Sequence, residues 1–301
     1  MASSVRIAGI ELGGTKSIAV LAHGDRIAAQ EMVPTETPSQ TLPALNALLS
    51  RWDEEQPLDA IGIASFGPVC VDPEDRLYGT ILPTPKPGWA NAPVAESLLA
   101  GLNRPCLIDT DVNAAALAEY RWGAAQDAGI VCYITIGTGI GGGLLVGGQP
   151  VHGMMHPEIG HLRFRRPGND SFPGVCPFHG DCIEGLVSGP ALERRFAMPP
   201  AEIPGDDPRW RYVVADLTEL VCVILLTTSA ERILFGGTVA LSRPHLLPRI
   251  REAVTSRLES YLPFLANDGA DRIIDLAGLG VRAGPMGAIA LGHAALAQAS
   301  A

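Results

Sequence analysis

Apolar positions in the first third of the chain switch between two spacings. Residues 6–10 form a short β-branched and apolar run, Glu11-Leu12-Gly13-Gly14-Thr15-Lys16 interrupts it with glycines, and residues 17–21 are apolar again. This pattern predicts strand, glycine turn, strand. His23-Gly24-Asp25 offers another turn, and residues 26–33 a third strand. From 37 to 52 the period lengthens, with Leu42, Leu45, Leu48 and Leu49 recurring at helical spacing. Residues 59–65 and 105–109 read as buried strands, and 114–122 as a helix following the second.

A similar succession begins again near residue 130. Residues 130–136 predict a strand, 137–143 a glycine-rich turn and 144–146 the returning strand. Helical patterns follow at 183–195, 212–230 and 248–262 and from Gly287 onward, with buried strands at 232–235 and 272–276. The expectation is an α/β chain of two domains, 1–115 and 116–285, with a C-terminal helix at about 286–301 rejoining the first. The 301 residues suffice for two such cores. Strand–glycine turn–strand opens each half, as a two-lobed phosphate clamp would require.

Composition narrows the partners. The formal net charge is −10, and the arginines are scattered, which argues against nucleic acid. Apolar runs such as 221–226 fall far short of the ~20 residues a membrane span needs. No signal-peptide pattern opens the chain, so a cytoplasmic location is expected. Two of the 22 basic Lys and Arg residues are lysines, Lys16 and Lys86, and both fall in segments that stand out for other reasons. Cys70, Cys106, Cys132 and Cys222 lie singly among apolar residues, as small core residues do.

The candidate chemistry starts with glycines, which let backbone N–H groups approach an anion without a Cβ in the way. Gly13-Gly14-Thr15-Lys16 and Gly137-Thr138-Gly139 each add a threonine hydroxyl, and a third turn, Gly236-Gly237-Thr238, follows a strand and would open a helix. Taken singly, each also fits a plain hairpin turn. Ile108-Asp109-Thr110-Asp111-Val112-Asn113 places two carboxylates in a strand-to-helix turn, where either could be a catalytic base or a helix cap. His161, Cys176, His179 and Cys182, spaced H-x14-C-x2-H-x2-C, supply a complete tetrahedral shell for structural zinc, with His156 an alternative to His161.

In this order the segments resemble the ROK family of sugar kinases, within the actin-like ATPase superfamily, and the likeness covers nearly the whole chain. It implies a two-domain actin-like (ribonuclease H-like) fold with an active-site cleft between the domains. It implies nucleotide contacts from Gly13, Gly14, Thr15, Lys16, Gly137, Thr138, Gly139, Gly236 and Gly237, with ATP and Mg²⁺ as donor and cofactor. Asp111 becomes the general base. Glu158 and His161, from the E-x-G-H element, and Glu184 become sugar contacts, and His161 is favoured over His156 as the zinc ligand. Glu11 stands where aspartate is more usual, leaving open its part in handling Mg²⁺. Thr110 in place of asparagine, with Ser65-Phe66-Gly67-Pro68 and Thr84-Pro85-Lys86-Pro87-Gly88-Trp89, is similar to the zinc-containing fructokinases of the family; Thr110, Gly67, Pro68 and Lys86 are accordingly expected at the substrate. The implied reaction converts fructose and ATP to fructose 6-phosphate, in a homodimer. A glucokinase, mannokinase or amino-sugar kinase, or a non-catalytic sugar sensor, is the alternative.

Overall fold

The computed structural model describes residues 5–300. The chain divides into two compact units, one of residues 5–121, 150–156 and 282–300, the other of 122–149 and 157–281.

In the first unit, β1 (Arg6–Leu12) pairs antiparallel with β2 (Lys16–His23), which pairs antiparallel with β3 (Arg26–Pro34). Helix α1 (Pro38–Glu55) buries Leu42, Leu45, Leu49 and Trp52, the stripe its period predicts. Strand β4 (Ala60–Ser65) lies parallel to β1, and after the short helix α2 (Val94–Leu98), β5 (Cys106–Thr110) lies parallel to β4. The sheet order is β3-β2-β1-β4-β5. Helix α3 (Asp111–Trp122) leaves directly from β5.

The second unit repeats this plan. Strands β6 (Ile130–Ile136), β7 (Ile140–Val146) and β8 (Gln149–Pro150) begin it. Helices α4 (Ile183–Val187), α5 (Gly189–Phe196) and α6 (Trp210–Thr228) follow, then β9 (Arg232–Gly236), α7 (Gly237–Ser242), α8 (Leu246–Leu258), α9 (Gly269–Ile273) and β10 (Ile274–Leu276). Its order, β10-β9-β6-β7-β8, is the first sheet's order reversed as written, with β6–β7 antiparallel and β6–β9 and β9–β10 parallel.

Three local expectations are corrected. The glycine turn of the second hairpin is confined to residues 137–139, because Gly141, Gly142 and Gly143 are paired within β7. The single helix expected over 183–195 is broken at Ser188, whose extended backbone and hydroxyl, accepting from the Ala191 N–H at 3.4 Å, cap a new helix beginning Gly189-Pro190. Helix α10 (Ala283–Ala299) starts four residues before Gly287 and returns to the first unit. Its alanine- and glycine-rich surface lets it lie almost on the sheet backbone: a Cβ on Gly62 would fall 1.9 Å from the Ala288 carbonyl oxygen.

Candidate active site and metal centre

In the first unit the turn joining β1 to β2 is tight, since a Cβ on Gly13 would meet the Lys16 carbonyl oxygen at 2.5 Å. Gly14, Thr15 and Lys16 are exposed, and the Thr15 carbonyl accepts from the Thr35 N–H at 3.0 Å. Lys86 reaches this turn, its ammonium donating to the Gly14 carbonyl. The 65–68 turn lies in the same unit with a cis Gly67–Pro68 bond, and its Phe66 ring meets Trp89 edge-on at 5.1 Å.

The β5–α3 junction is organised around Asp109, which is 2% exposed. Its Oδ1 accepts from the Thr110 N–H at 2.7 Å and from Asn113 Nδ2 at 2.8 Å, while Oδ2 lies 3.0 Å from His152 Nε2. Thr110 is buried, and its hydroxyl accepts from the Asn113 N–H at 3.2 Å, so the capping oxygen of α3 comes from Thr110 rather than from either aspartate. That contact uses Thr110 Oγ1 as an acceptor and leaves its O–H proton for a second partner. Asp111, first residue of α3, is left half-buried. Burial raises its pKa to about 6, against the backbone N–H groups of Val112 and Asp111 itself, which lower it.

Glu11, at the end of β1, has a pKa raised to about 7, first by burial and then by the charge of Asp111, while Lys16 pulls it down. Its Oε2 is buried without a hydrogen-bond partner, and Gly284 of α10 leaves it room: a Cβ there would fall 2.1 Å from Oε1. An orphaned carboxylate oxygen beside a glycine phosphate turn is a donor that fits Mg²⁺.

In the second unit the 137–139 turn is closed by the Gly137 N–H donating to the Gly139 carbonyl at 2.9 Å. The Gly189 N–H at the start of α5 donates to the Gly137 carbonyl at 2.7 Å. The third turn meets it, with Thr238 Oγ1 3.8 Å from where a Gly137 Cβ would stand. Gly237 takes φ +81° and is required by the backbone itself, whereas Gly236 makes room for the Tyr133 ring, whose hydroxyl a Cβ there would strike at 2.0 Å. Glu184 of α4 also reaches the second turn, its Oε2 accepting from the Ile140 N–H at 3.2 Å.

The ligand atoms of His161, Cys176, His179 and Cys182 all lie within 4.8 Å of one another. Cys182 Sγ is 3.5 Å and Cys176 Sγ 3.8 Å from His161 Nδ1, and Cys176 Sγ is 3.8 Å from His179 Nδ1. A zinc tetrahedron with bonds of ~2.3 Å to sulfur and ~2.0 Å to nitrogen has edges of about 3.5 Å, so the quartet fits that ion. His156 is elsewhere: it is buried in the first unit, where its Nε2 accepts from the Val69 N–H at 3.3 Å. His161 turns its other nitrogen, Nε2, towards Glu158, 4.0 Å from Oε2. The loop carrying these ligands is pinned to α5 and α6 by a buried ionic cluster, with Arg195 3.0 Å from Asp170 and 3.2 Å from Asp216.

The predicted residues therefore gather as two groups. Lys86, Glu11 and Asp111 accompany the first glycine turn; Glu184, the third turn and the Cys/His quartet accompany the second. His152 is the residue that sequence reasoning missed. It is a lone imidazole with no motif around it, 43 positions from its partner Asp109.

Two glycine-turn sheets of identical strand order define the fold as actin-like (ribonuclease H-like), the fold of the ROK sugar kinases. The chain belongs to the ROK family, whose model matches residues 7–295. It is 41% identical to a fructokinase of Zymomonas mobilis over 95% of this chain and 96% of that one. It is 38% identical to a fructokinase of Pediococcus pentosaceus over 96% and 98%. Among solved structures, a ROK hexokinase from Thermus thermophilus superimposes with TM-score 0.77 at 28% identity, covering 98% of this chain and 100% of that one. A ROK glucokinase from Streptomyces griseus, in complex with glucose and AMPPNP, gives 0.74 at 25% identity, covering 96% and 99%. No helix among the described residues is long and apolar enough to cross a membrane.

Proposed function

We propose that the protein is an ATP-dependent fructokinase that transfers the γ-phosphoryl group of ATP to the 6-hydroxyl of D-fructose. The observation that carries this reading is the Asp111 carboxylate, at a braced strand-to-helix turn, in a chain similar end to end to fructokinases. The hydroxyl oxygen forms the new bond to the γ-phosphorus, the bond from phosphorus to the bridging oxygen breaks, and ADP leaves. Asp111 accepts the hydroxyl proton, for which a pKa raised to about 6 suits it better than an ordinary aspartate.

The backbone N–H groups and threonine hydroxyls of the glycine turns receive the phosphates. Glu11 and its unpartnered oxygen would hold Mg²⁺, which when bound neutralises phosphate charge. His161, Cys176, His179 and Cys182 would hold zinc, which when bound cross-links a loop rich in proline and glycine and fixes the His161 ring beside Glu158.

A coupled assay of ADP release across fructose, mannose, glucose and N-acetylhexosamines tests the reading. Fructose is expected to give the highest kcat/KM, and Asp111→Asn is expected to lower kcat by about 10³-fold or more. Best turnover on glucose would sink the choice of sugar, and full turnover without the Asp111 carboxylate would remove that residue from the chemistry.

A further inference from the structure

Lys86 joins three segments of the first unit at once. Its ammonium donates to the Gly14 carbonyl of the first glycine turn. The same Nζ lies 5.8 Å from the centroid of Phe66 and 5.9 Å from that of Trp89, whose rings meet at 74°. Aromatic faces attract a cation at this range. The platform beneath it is fixed. Trp89 is fully buried, its indole N–H donates to the Glu36 carbonyl at 2.8 Å, and its backbone N–H returns to the Lys86 carbonyl at 3.2 Å. Pro85 and Pro87 restrict the backbone on either side of Lys86, and Gly88 takes φ +78°.

A lysine on a surface loop ordinarily keeps its head group in water, free to rotate. Here the ammonium is hydrogen-bonded to the glycine turn, and burial draws its pKa below the ordinary lysine value. The loop closes through Trp89 and its two hydrogen bonds, so its fold does not call for a cation at Gly14. Both lysines of a chain otherwise served by arginine gather at this turn, Lys16 within it and Lys86 on its carbonyl. The ammonium has three donors, and Gly14 takes one. Above Gly14 there is open space, since a Cβ there would meet nothing within 4 Å. A compact point charge with two donors left, beside a turn whose N–H groups suit phosphate, is set to meet an anion.

We infer that Lys86 is a catalytic residue of the phosphate side: with the nucleotide at the first glycine turn, its ammonium contacts the terminal phosphoryl group rather than the sugar. The inference rests on the kinase reading above. The ammonium keeps its protons throughout and stabilises negative charge on the phosphoryl oxygens as the group moves.

Lys86→Met and Lys86→Arg, with ATP and fructose varied separately, test it. Lys86→Met is expected to raise the KM for ATP or lower kcat by about 10-fold or more, the worth of one charge-assisted hydrogen bond. The KM for fructose is expected to stay within about 2-fold, because no uniform sugar contact is lost. Lys86→Arg should recover part of the loss. Equilibrium binding of AMPPNP should weaken more than that of ADP, which lacks the third phosphoryl group. A raised fructose KM with ATP constants unmoved overturns the assignment, as does equal weakening of ADP and AMPPNP, or no change in any constant. Should Lys86→Met fail to fold, as judged by its thermal transition, Lys86→Arg carries the same comparison with the charge kept and the point geometry lost. If the wild-type protein turns over no hexose, the kinase reading fails, and the AMPPNP-against-ADP comparison still decides where Lys86 binds.

Discussion

His152 sits with Nε2 3.0 Å from Oδ2 of Asp109, two residues before Asp111, the base proposed above. The pair is buried on the aspartate side and one-third open on the histidine side. Asp109 passes the restraint on, since its other oxygen holds the Thr110 N–H and the Asn113 amide. The hydrogen bond to Asp109 is also the leading reason that the His152 pKa is raised, ahead of the burial that opposes it. If Asp111 is the base, His152 is placed to act on it through the turn, as a positioning residue.

His152→Ala should lower kcat by about 10-fold through loss of one hydrogen bond to a buried carboxylate, with little change in the KM for ATP. His152→Gln, whose amide can still donate to Asp109, should recover most of it. Steady-state kinetics of both variants check the point, and equal damage from Ala and Gln would show that the imidazole packs rather than positions.

The Cys/His quartet makes a prediction about metal. Purified protein should carry about one zinc per chain by elemental analysis, and Cys182→Ser should carry much less. Burial, first, and the neighbouring Cys176 push the Cys182 thiol up to about 12, so without a cation the site would hold protonated sulfur. Loss of the ion leaves a loop otherwise held midway, at Asp170, by the Arg195 cluster. If the ion contributes about 3 kcal/mol, the thermal midpoint should fall by roughly 5 °C in a protein of this size. An unchanged midpoint after chelation, with zinc shown to be gone, would leave the quartet without a structural role.

Much of this was legible in the residues. Alternation and helical period marked both hairpins and α1, and the spacing pointed to a Cys/His metal site without any fold, with His156 left as an alternative to His161 until the family resemblance favoured the latter. What escaped was long-range. Nothing around His152 shows a period or a motif, and residues 150–156 lie with the first unit although second-unit strands precede them. Lys86 and Gly14 are 72 positions apart, and their contact depends on how a proline-bounded loop settles on Trp89. Thr110 was expected at the substrate because it stands where asparagine is more usual in the family. Its hydroxyl also caps α3, a role that Asp109 and Asp111 fit equally well on paper. The break at Ser188 was readable in Ser-Gly-Pro, but the apolar period ran straight through it.

The pH profile should show two carboxylates. As the proposed base Asp111 would act only when ionised, and its pKa is raised to about 6, so kcat/KM should fall as pH drops through that value rather than near 4. Glu11, raised to about 7 by burial and by Asp111, keeps its proton longest as pH rises. If the ionised form of Glu11 serves Mg²⁺, activity loses a second factor below about 7, and the acid limb steepens towards a slope of two. Glu11→Gln imitates the protonated side chain. It should lower kcat, abolish the ionisation near 7 and leave the one near 6 in place, because Glu11 is already neutral when Asp111 titrates. A limb in Glu11→Gln that moves down towards 4 would show that Glu11, not burial, raises the Asp111 pKa.

Glu184 tests how closely the sugar side and the phosphate side of the second unit are joined. Its carboxylate accepts from the Ile140 N–H at 3.2 Å, and a Cβ on Gly139 would lie 2.7 Å from the same Oε2. Gly139 is not held by a left-handed backbone, so the space is what fixes glycine there. Gly139→Ala should therefore leave the hairpin intact while pushing the carboxylate off the turn. If Glu184 binds a sugar hydroxyl from that position, the KM for fructose should rise by about 10-fold, the loss of one hydrogen bond to a charged group. Glu184→Gln removes the charge while leaving an amide oxygen to accept from Ile140, and should weaken fructose binding without moving the thermal midpoint by more than ~3 °C. In the double variant the two effects should fall well short of additive, since both act on one carboxylate. Additive losses would mean that Gly139 and Glu184 serve separate ligands, with the glycine belonging to the nucleotide alone.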